Sequence, residues 1–226
     1  MEVKWLGLQD YELVLQWQKK MQASIKGSKK ILLLGLEHPS VITLGRRSQA
    51  QKDILWSEDQ LQQSQITIEN SDRGGRATLH SPGQLVIYPI VDLSMWKISV
   101  PDFVQLLLAN TQSVLALGGI DCYVDTDRPG VYTTQGKLAF CGLRIEQGVS
   151  RHGLSINVSN DLSLFESSVA CGHGQQSLDK VQNWPRSVAS TWTTKNLFEM
   201  WSVECYKKFN SKSSLRSLSA VGSAFP

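Results

Sequence analysis

Apolar positions along the chain follow two spacings. Over residues 9–26 they form an imperfect helical stripe of Leu13, Leu15, Trp17, Met21 and Ile25, with Asp10 placed to cap its start and Gly27-Ser28 to close it. Ile31 to Leu36 is a short apolar run of the kind a buried strand presents, broken by His38-Pro39-Ser40 and resumed over Val41–Leu44. Residues 46–61 are polar and predict loop with a short helix. Ile66 and Ile68 alternate with polar neighbours, which predicts a strand over Gln65–Glu69. A glycine-rich polar stretch over 72–84 runs into a strand pattern at Leu85–Val91. Pro101–Leu117 predicts a helix with proline in its first turn and Gly118-Gly119 at its end. Ile120–Val124 predicts another strand. Residues 131–146, interrupted near Gln135-Gly136, and 149–158 predict two more, joined as a hairpin at Gln147-Gly148. A terminal helix is expected over Val188–Phe209. The sum is an α+β domain, a mixed sheet flanked by helices, over residues 1–210, with a mobile serine-rich tail over 211–226.

Composition narrows the function. Of 226 residues, 41% are apolar and 19% charged, which supports a real core and argues against wholesale disorder. The net charge is +3, and its basic pairs (Lys19-Lys20, Lys29-Lys30, Arg46-Arg47, Lys207-Lys208) are scattered, so they read as solvated charges able to steer an acidic partner. No nucleic-acid motif is present. Cys122, Cys141, Cys171 and Cys205 are widely spaced, with no C-x-x-C and no zinc-like cluster, so no metal is expected. No secretory segment opens the chain and no apolar run reaches the roughly 20 residues that span a bilayer. A cytoplasmic setting with free thiols and no membrane is the expectation.

Three places could carry chemistry. Strict alternation from Lys137 puts it on one face with Ala139, Cys141, Leu143 and Ile145. A lysine there is either a desolvated base or a strand-end side chain that reaches water. By the same alternation His152 shares a face with Leu154, Ile156 and Val158, as a hydrogen-bonded core histidine or as support for a site. Gly153 beside it allows close approach of a ligand or of another segment. Asn157 and Asp161 look like turn and capping groups. Ala170-Cys171-Gly172-His173-Gly174 leaves a thiol flanked by glycine, a candidate nucleophile, with His173 as a possible local base; Cys122 and Cys141 lie in apolar strand patterns and Cys205 in the terminal helix. The Arg73-Gly74-Gly75 segment and the Ser81–Gln84 turn either line a pocket or form ordinary loops. They match no nucleotide motif.

Together these segments resemble the lipoyl(octanoyl) transferase family, the octanoyl-[acyl-carrier-protein]:protein N-octanoyltransferases. The residues that carry the resemblance are R-G-G-R-A-T-L-H-S-P-G-Q-L-V-I-Y-P-I-V-D-L from Arg73, G-V-Y from Gly130, G-K-L-A-F-C-G-L-R-I from Gly136, R-H-G-L-S-I-N-V-S-N-D-L-S-L-F from Arg151, A-C-G from Ala170 and H-P-S-V-I-T-L-G from His38. The resemblance implies the fold of the biotin and lipoate protein ligase catalytic domain and a Cys171/Lys137 dyad. It implies an acyl pocket lined by Arg73, Gly74, Gly75, Arg76, Ala77, Thr78, Leu79, His80, Phe140, Cys141, Gly142, Gly153, Leu154 and Ser155. It also implies octanoyl-acyl carrier protein as donor, and as acceptors the lipoyl domains of 2-oxoacid dehydrogenase complexes and glycine cleavage protein H, with no cofactor. Ser81, Ala170 and Ser155 depart from the family's usual glycine, proline and alanine, which puts acyl preference in question. An ATP-dependent lipoate- or biotin-type ligase and a non-catalytic lipoyl-domain binder are the alternatives. The chain lacks a basic glycine-rich adenylate loop, and Cys171 and Lys137 weigh against a mere binder.

Overall fold

The protein is described from a computed structural model covering residues 1–168, 177–184 and 188–221, with residues 211–221 as helix backbone. An edge strand β1 (Glu2–Leu8) precedes helix α1 (Tyr11–Ile25) and has no counterpart among the sequence expectations. The Asp10 side chain accepts from Leu13 N at 3.0 Å, the cap expected for α1. Strands β2 (Ile31–Glu37) and β3 (Val41–Leu44) follow, separated by His38-Pro39-Ser40. The polar stretch holds two short helices, α2 (Ala50–Asp53) and α3 (Glu58–Gln63), the second closed by a Ser57–Gln60 capping box. Then come β4 (Thr67–Asn70), β5 (Ala77–His80) and β6 (Gln84–Val91).

After the single turn α4 (Leu93–Trp96), helix α5 (Val100–Leu117) starts on a Ser99 cap and ends at Gly118. Strands β7 (Tyr123–Asp125), β8 (Gly130–Tyr132), β9 (Lys137–Glu146) and β10 (Val149–Asn157) complete the sheets. Asp161 caps a 3-10 turn over Leu162–Ser167, as expected. Asn157, expected as a turn former, is instead a buried bridge: it accepts from Gln84 Nε2 at 2.9 Å and donates to Asp179 O at 3.0 Å. A 3-10 turn occupies Val188–Thr191, and α6 (Thr194–Val221) runs past the expected helix end at Phe209 into the serine-rich residues.

Seven strands form one mixed sheet in the order β1-β2-β6-β10-β9-β8-β7, with β1 and β2 parallel and the other pairs antiparallel. The other three form a small sheet, β4-β3-β5. On one face of the large sheet, Leu33, Leu85, Ile87, Val91, Leu154 and Ile156 pack with Phe103 and Leu107 of α5 and with Phe198 and Trp201 of α6. On the other face, Val14 and Ile25 of α1 meet Leu34, Val86, Tyr88 and Ile90. The small sheet has its own core, Ile42, Ala77 and Leu79, which reaches Phe140 on β9 and Phe165. That contact sets the small sheet beside the centre of the large one and leaves a cleft between them.

Two departures from strand alternation decide what faces the cleft. Between β8 and β9 the register slips: Val131 pairs with Ala139 but Tyr132 pairs with Lys137, so Leu138 is the extra residue. Leu138 and Ala139 both join the main core, while the Lys137 ammonium lies over the Phe140 ring. The expectation that Lys137 shares a face with Ala139, Cys141, Leu143 and Ile145 is therefore corrected. The second departure is His152, which holds φ +55° inside β10. Its backbone N–H leaves the ladder to donate to Gln18 Oε1 on α1 at 2.6 Å, and its ring meets Tyr88 edge-on at 6.2 Å. His152 thus sits on the Tyr88 side, not on the face of Leu154, Ile156 and Val158 where alternation placed it.

Candidate active site

A cavity fills the cleft between the two sheets. Of the residues expected at an acyl pocket, Arg73, Gly74, Gly75, Thr78 and His80 line it from the small-sheet side. Phe140, Cys141, Gly142, Gly153, Leu154 and Ser155 line it from β9 and β10, and His152 joins them. Arg76, Ala77 and Leu79 do not. Within β5, alternation turns Ala77 and Leu79 into the small core while Thr78 and His80 face the cavity. Arg76 turns away to an ion pair with Asp53. Val86 of β6 lines it too, and two lining residues were not expected there: Tyr11 from the first turn of α1 and Tyr88 from β6. A tyrosine inside an otherwise apolar strand run was the available signal for Tyr88.

Arg73 anchors the loop. Its guanidinium donates to Thr43 Oγ1 at 2.9 Å, Thr43 O at 2.6 Å and Gly74 O at 3.1 Å, which ties the loop to β3. Gly74 N donates to Leu143 O at 3.0 Å, so the loop also grips β9. Gly75 has φ +94°, a conformation that side chains rarely adopt.

Burial disfavours the charged form of the cavity's imidazoles and of His38 beside them. His80 donates from Nδ1 to Gln84 Oε1 at 2.7 Å, since that amide's nitrogen is engaged with Asn157. Its pKa falls to about 3, first through burial and then through the neighbouring His38. His152 pairs through Nε2 with Asp72 at 2.7 Å and is 1% exposed. Burial, then the charges of Arg73 and Arg151, lower its pKa to about 3. His38, bonded to Gln9 O and to the Tyr88 hydroxyl, is lowered to about 4 by burial. The Thr78 hydroxyl and His152 Nδ1 are buried without a hydrogen-bond partner among the described residues.

Lys137 lies just behind the cavity wall and is 2% exposed. Its ammonium stands 5.0 Å from the centre of the Phe140 ring and 5.1 Å from that of Tyr132. Its backbone is clasped by residues 177–179: Lys137 N donates to Ser177 O at 2.9 Å, and Asp179 N to Lys137 O at 3.0 Å. Cys171 and its neighbours Ala170 and His173 lie outside the described residues. Among the described residues no group of three or more His, Cys, Asp or Glu could hold a metal, and no helix is long and apolar enough to cross a membrane.

Comparison with known proteins decides the family. The Lipoyl protein ligase A/B catalytic domain family matches residues 10–201. The chain belongs to this family. It is 39% identical over 173 residues to the octanoyltransferase of Shewanella loihica, covering 76% of each chain, and 35% identical over 188 residues to that of Citrobacter koseri, covering 83% of this chain and 85% of the relative. It is therefore an octanoyltransferase-family chain, an enzyme of the acyltransferase class. Its fold is that of a bi-partite lipoate protein ligase from Thermoplasma acidophilum, with TM-score 0.68, 13% identity and coverage of 93% and 92% of the two chains. A biotin protein ligase from Aquifex aeolicus solved with biotin and ATP gives TM-score 0.55 at 11% identity, covering 92% of this chain and 70% of that one. The mixed sheet flanked by helices is thus the lipoate and biotin ligase fold.

The three described thiols of this octanoyltransferase-family chain are poor nucleophiles. Burial pushes Cys205 up to about 12 and Cys122 up to about 11. Cys141 borders the cavity, yet burial pushes it up to about 12, and the Lys137 charge offsets only part of that. At neutral pH all three are thiols rather than thiolates.

Proposed function

We propose that the protein transfers an octanoyl group from octanoyl-acyl carrier protein to a lysine of lipoyl domains in the cytoplasm, through a thioester on Cys171 with Lys137 as its base. The observation that carries this reading is Lys137 itself: a buried lysine on the far side of the Phe140 cavity wall, with no carboxylate among its described contacts. Such an amine can take and return a proton. Cys171 stands six positions before Ser177 in the sequence, and the Ser177 carbonyl is bonded to Lys137 N. The high pKa values of the other three thiols leave Cys171 as the candidate nucleophile.

The chemistry follows in two balanced steps. Cys171 gives its proton to Lys137, and the thiolate attacks the donor thioester. The new C–S bond forms, the carrier's C–S bond breaks, and the carrier thiolate takes the proton. The acceptor lysine then attacks acyl-Cys171 as a neutral amine. Lys137 accepts its proton, the amide forms and the cysteine thiolate leaves. Because a thioester is converted to an amide, no nucleotide is required. Backbone N–H groups near Gly142 and Gly172 are the proposed oxyanion donors. Leu154 and Val86 are the proposed walls for the acyl tail, where each buried CH₂ contributes about 0.8 kcal/mol. The lipoyl domains of 2-oxoacid dehydrogenase complexes and glycine cleavage protein H are the proposed acceptors.

The test is transfer from octanoyl-acyl carrier protein to a lipoyl domain without ATP. Full transfer without nucleotide and its loss in Cys171→Ala are expected. Transfer of free octanoate that depends on ATP would support a ligase instead, and binding without turnover would reduce the protein to a binding module.

A further inference from the structure

Buried lysines ordinarily sit beside a carboxylate. Among the described residues Lys137 has none, although the buried Asp179 lies on the segment bonded to its backbone. Asp179 donates its backbone N–H to Lys137 O, but its side chain accepts from Thr133 Oγ1 at 2.5 Å, Lys180 N at 2.8 Å, Asn183 Nδ2 at 2.9 Å and Trp184 Nε1 at 2.9 Å. Four donors fill the roughly four acceptor sites of one carboxylate. Asp179 is thereby kept from the ammonium by its own hydrogen bonds.

Two ring faces take the carboxylate's place. The slip at Leu138 sets Tyr132 opposite Lys137, with its ring centre 5.1 Å from Nζ, and Phe140 stands 5.0 Å away. Gly130, on the same strand as Tyr132, clears the path. A Cβ there would lie 2.6 Å from Lys137 Cε and 3.1 Å from Nζ. Tyr132 is itself fixed: its hydroxyl donates to Arg128 O at 2.9 Å, and its ring stacks on Tyr123 at 5.7 Å.

We infer that Tyr132, with the gap left at Gly130, is a positioning residue for Lys137, holding its amine against Phe140, a wall of the acyl cavity, with no carboxylate among its described contacts. This rests on the proposed role of Lys137 as base. A carboxylate at that distance would bind the ammonium and resist its deprotonation. An aromatic face attracts the ammonium and also accepts a weak N–H contact from the neutral amine. The same two rings therefore hold the side chain in both protonation states of a turnover.

The experiment is a double-mutant cycle on single-turnover acylation by octanoyl-acyl carrier protein, with melting curves taken on every sample. Tyr132→Phe keeps the ring, under the Arg128 guanidinium as well, and loses only the hydroxyl's bond to Arg128 O, so its rate should stay within about twofold of wild type. Tyr132→Leu should lose roughly tenfold or more in maximal rate, with the donor concentration at half-maximal rate unchanged within about twofold. In a Lys137→Ala background, Tyr132→Leu should change the residual rate little, because the group it positions is gone. A folded Tyr132→Leu with a normal rate, or an equal loss with and without Lys137, overturns the inference. Should Tyr132→Leu not fold, Tyr132→Met takes its place under the same criteria. If Lys137→Ala alone acylates normally, it is the base role that fails.

Discussion

Replacing Gly153 with alanine places a methyl group where β10 crosses β6. An ideal Cβ at Gly153 lies 2.1 Å from Ile87 O and 2.6 Å from Pro89 Cδ. Ordinary contact between carbon and oxygen is near 3.2 Å, so roughly 1 Å of movement is required. The obstructing atoms belong to backbone and to a proline ring, which do not swing aside. Leu154 pairs with Ile87 and Gly153 with Gly142, so the displacement strains the ladders on both edges of β10. Overpacking typically costs about 1–3 kcal/mol, and the backbone overlap puts this case near 3. For a chain of this length each kcal/mol lowers the melting temperature by about 2–4 °C, so Gly153→Ala should melt about 6–12 °C below wild type. Gly74→Ala is the contrast. Its Cβ would sit 3.1 Å from Leu143 O, which a shift of a few tenths of an ångström relieves. Calorimetry on the two variants and the parent decides the matter, with acylation measured below the transition on the same samples. Because His152, Leu154 and Ser155 move with β10, acylation should also fall in Gly153→Ala. A Gly153→Ala protein that melts within 2 °C of the parent would show that the strand crossing has slack the structure does not contain.

Other predictions follow from the site's charge states. Lys137→Arg keeps the charge but cannot give up its proton near neutral pH, so most transfer should be lost in a folded protein; near-wild-type rates with saturating lipoyl domain would defeat the base role. Folded His38, His80 and His152 bind protons more weakly than an unfolded histidine near 6.5, so their contribution is present above pH 6.5 and is lost as pH falls toward about 4. Each should remove about 1.4 kcal/mol of stability per pH unit in that window, and equal urea midpoints at pH 7 and pH 5 would contradict it. With pKa values of about 11, 12 and 12, Cys122, Cys141 and Cys205 should resist iodoacetamide at pH 7.5. Peptide mapping after brief labelling should find Cys171 first, and early modification of Cys141 would overturn that order.

Much of the scaffold was legible because period and punctuation agreed. Helix α1 announced itself through its stripe and the Asp10 cap, α5 through Pro101 and its glycine end, and the β9–β10 hairpin through Gln147-Gly148, whose φ values of 48° and 84° form the tight turn. The edge strand β1 was missed because it is mostly exposed on one side and carries no turn signal. The failures at the site have a common cause. A strict two-residue alternation turned Lys137 and His152 onto the main core, and both escape it through local backbone events. One is the extra residue at Leu138, the other a left-handed histidine at 152, and no residue type in the sequence marks either. The same rule applied to β5 would have separated Thr78 and His80 from Ala77 and Leu79, but the glycine-rich run around it hid a four-residue strand. Tyr11 reaches the cavity only through the docking of α1, a tertiary fact.

Between donor and acceptor the acyl group should rest on the enzyme as a thioester. Mixing the protein with octanoyl-acyl carrier protein, without ATP or lipoyl domain, and taking intact and peptide masses after acid quench tests this most directly. One octanoyl group is expected on Cys171, passed to a lysine of the lipoyl domain when that domain is added. No adduct under conditions that support transfer, or an adduct on Cys141, would contradict it.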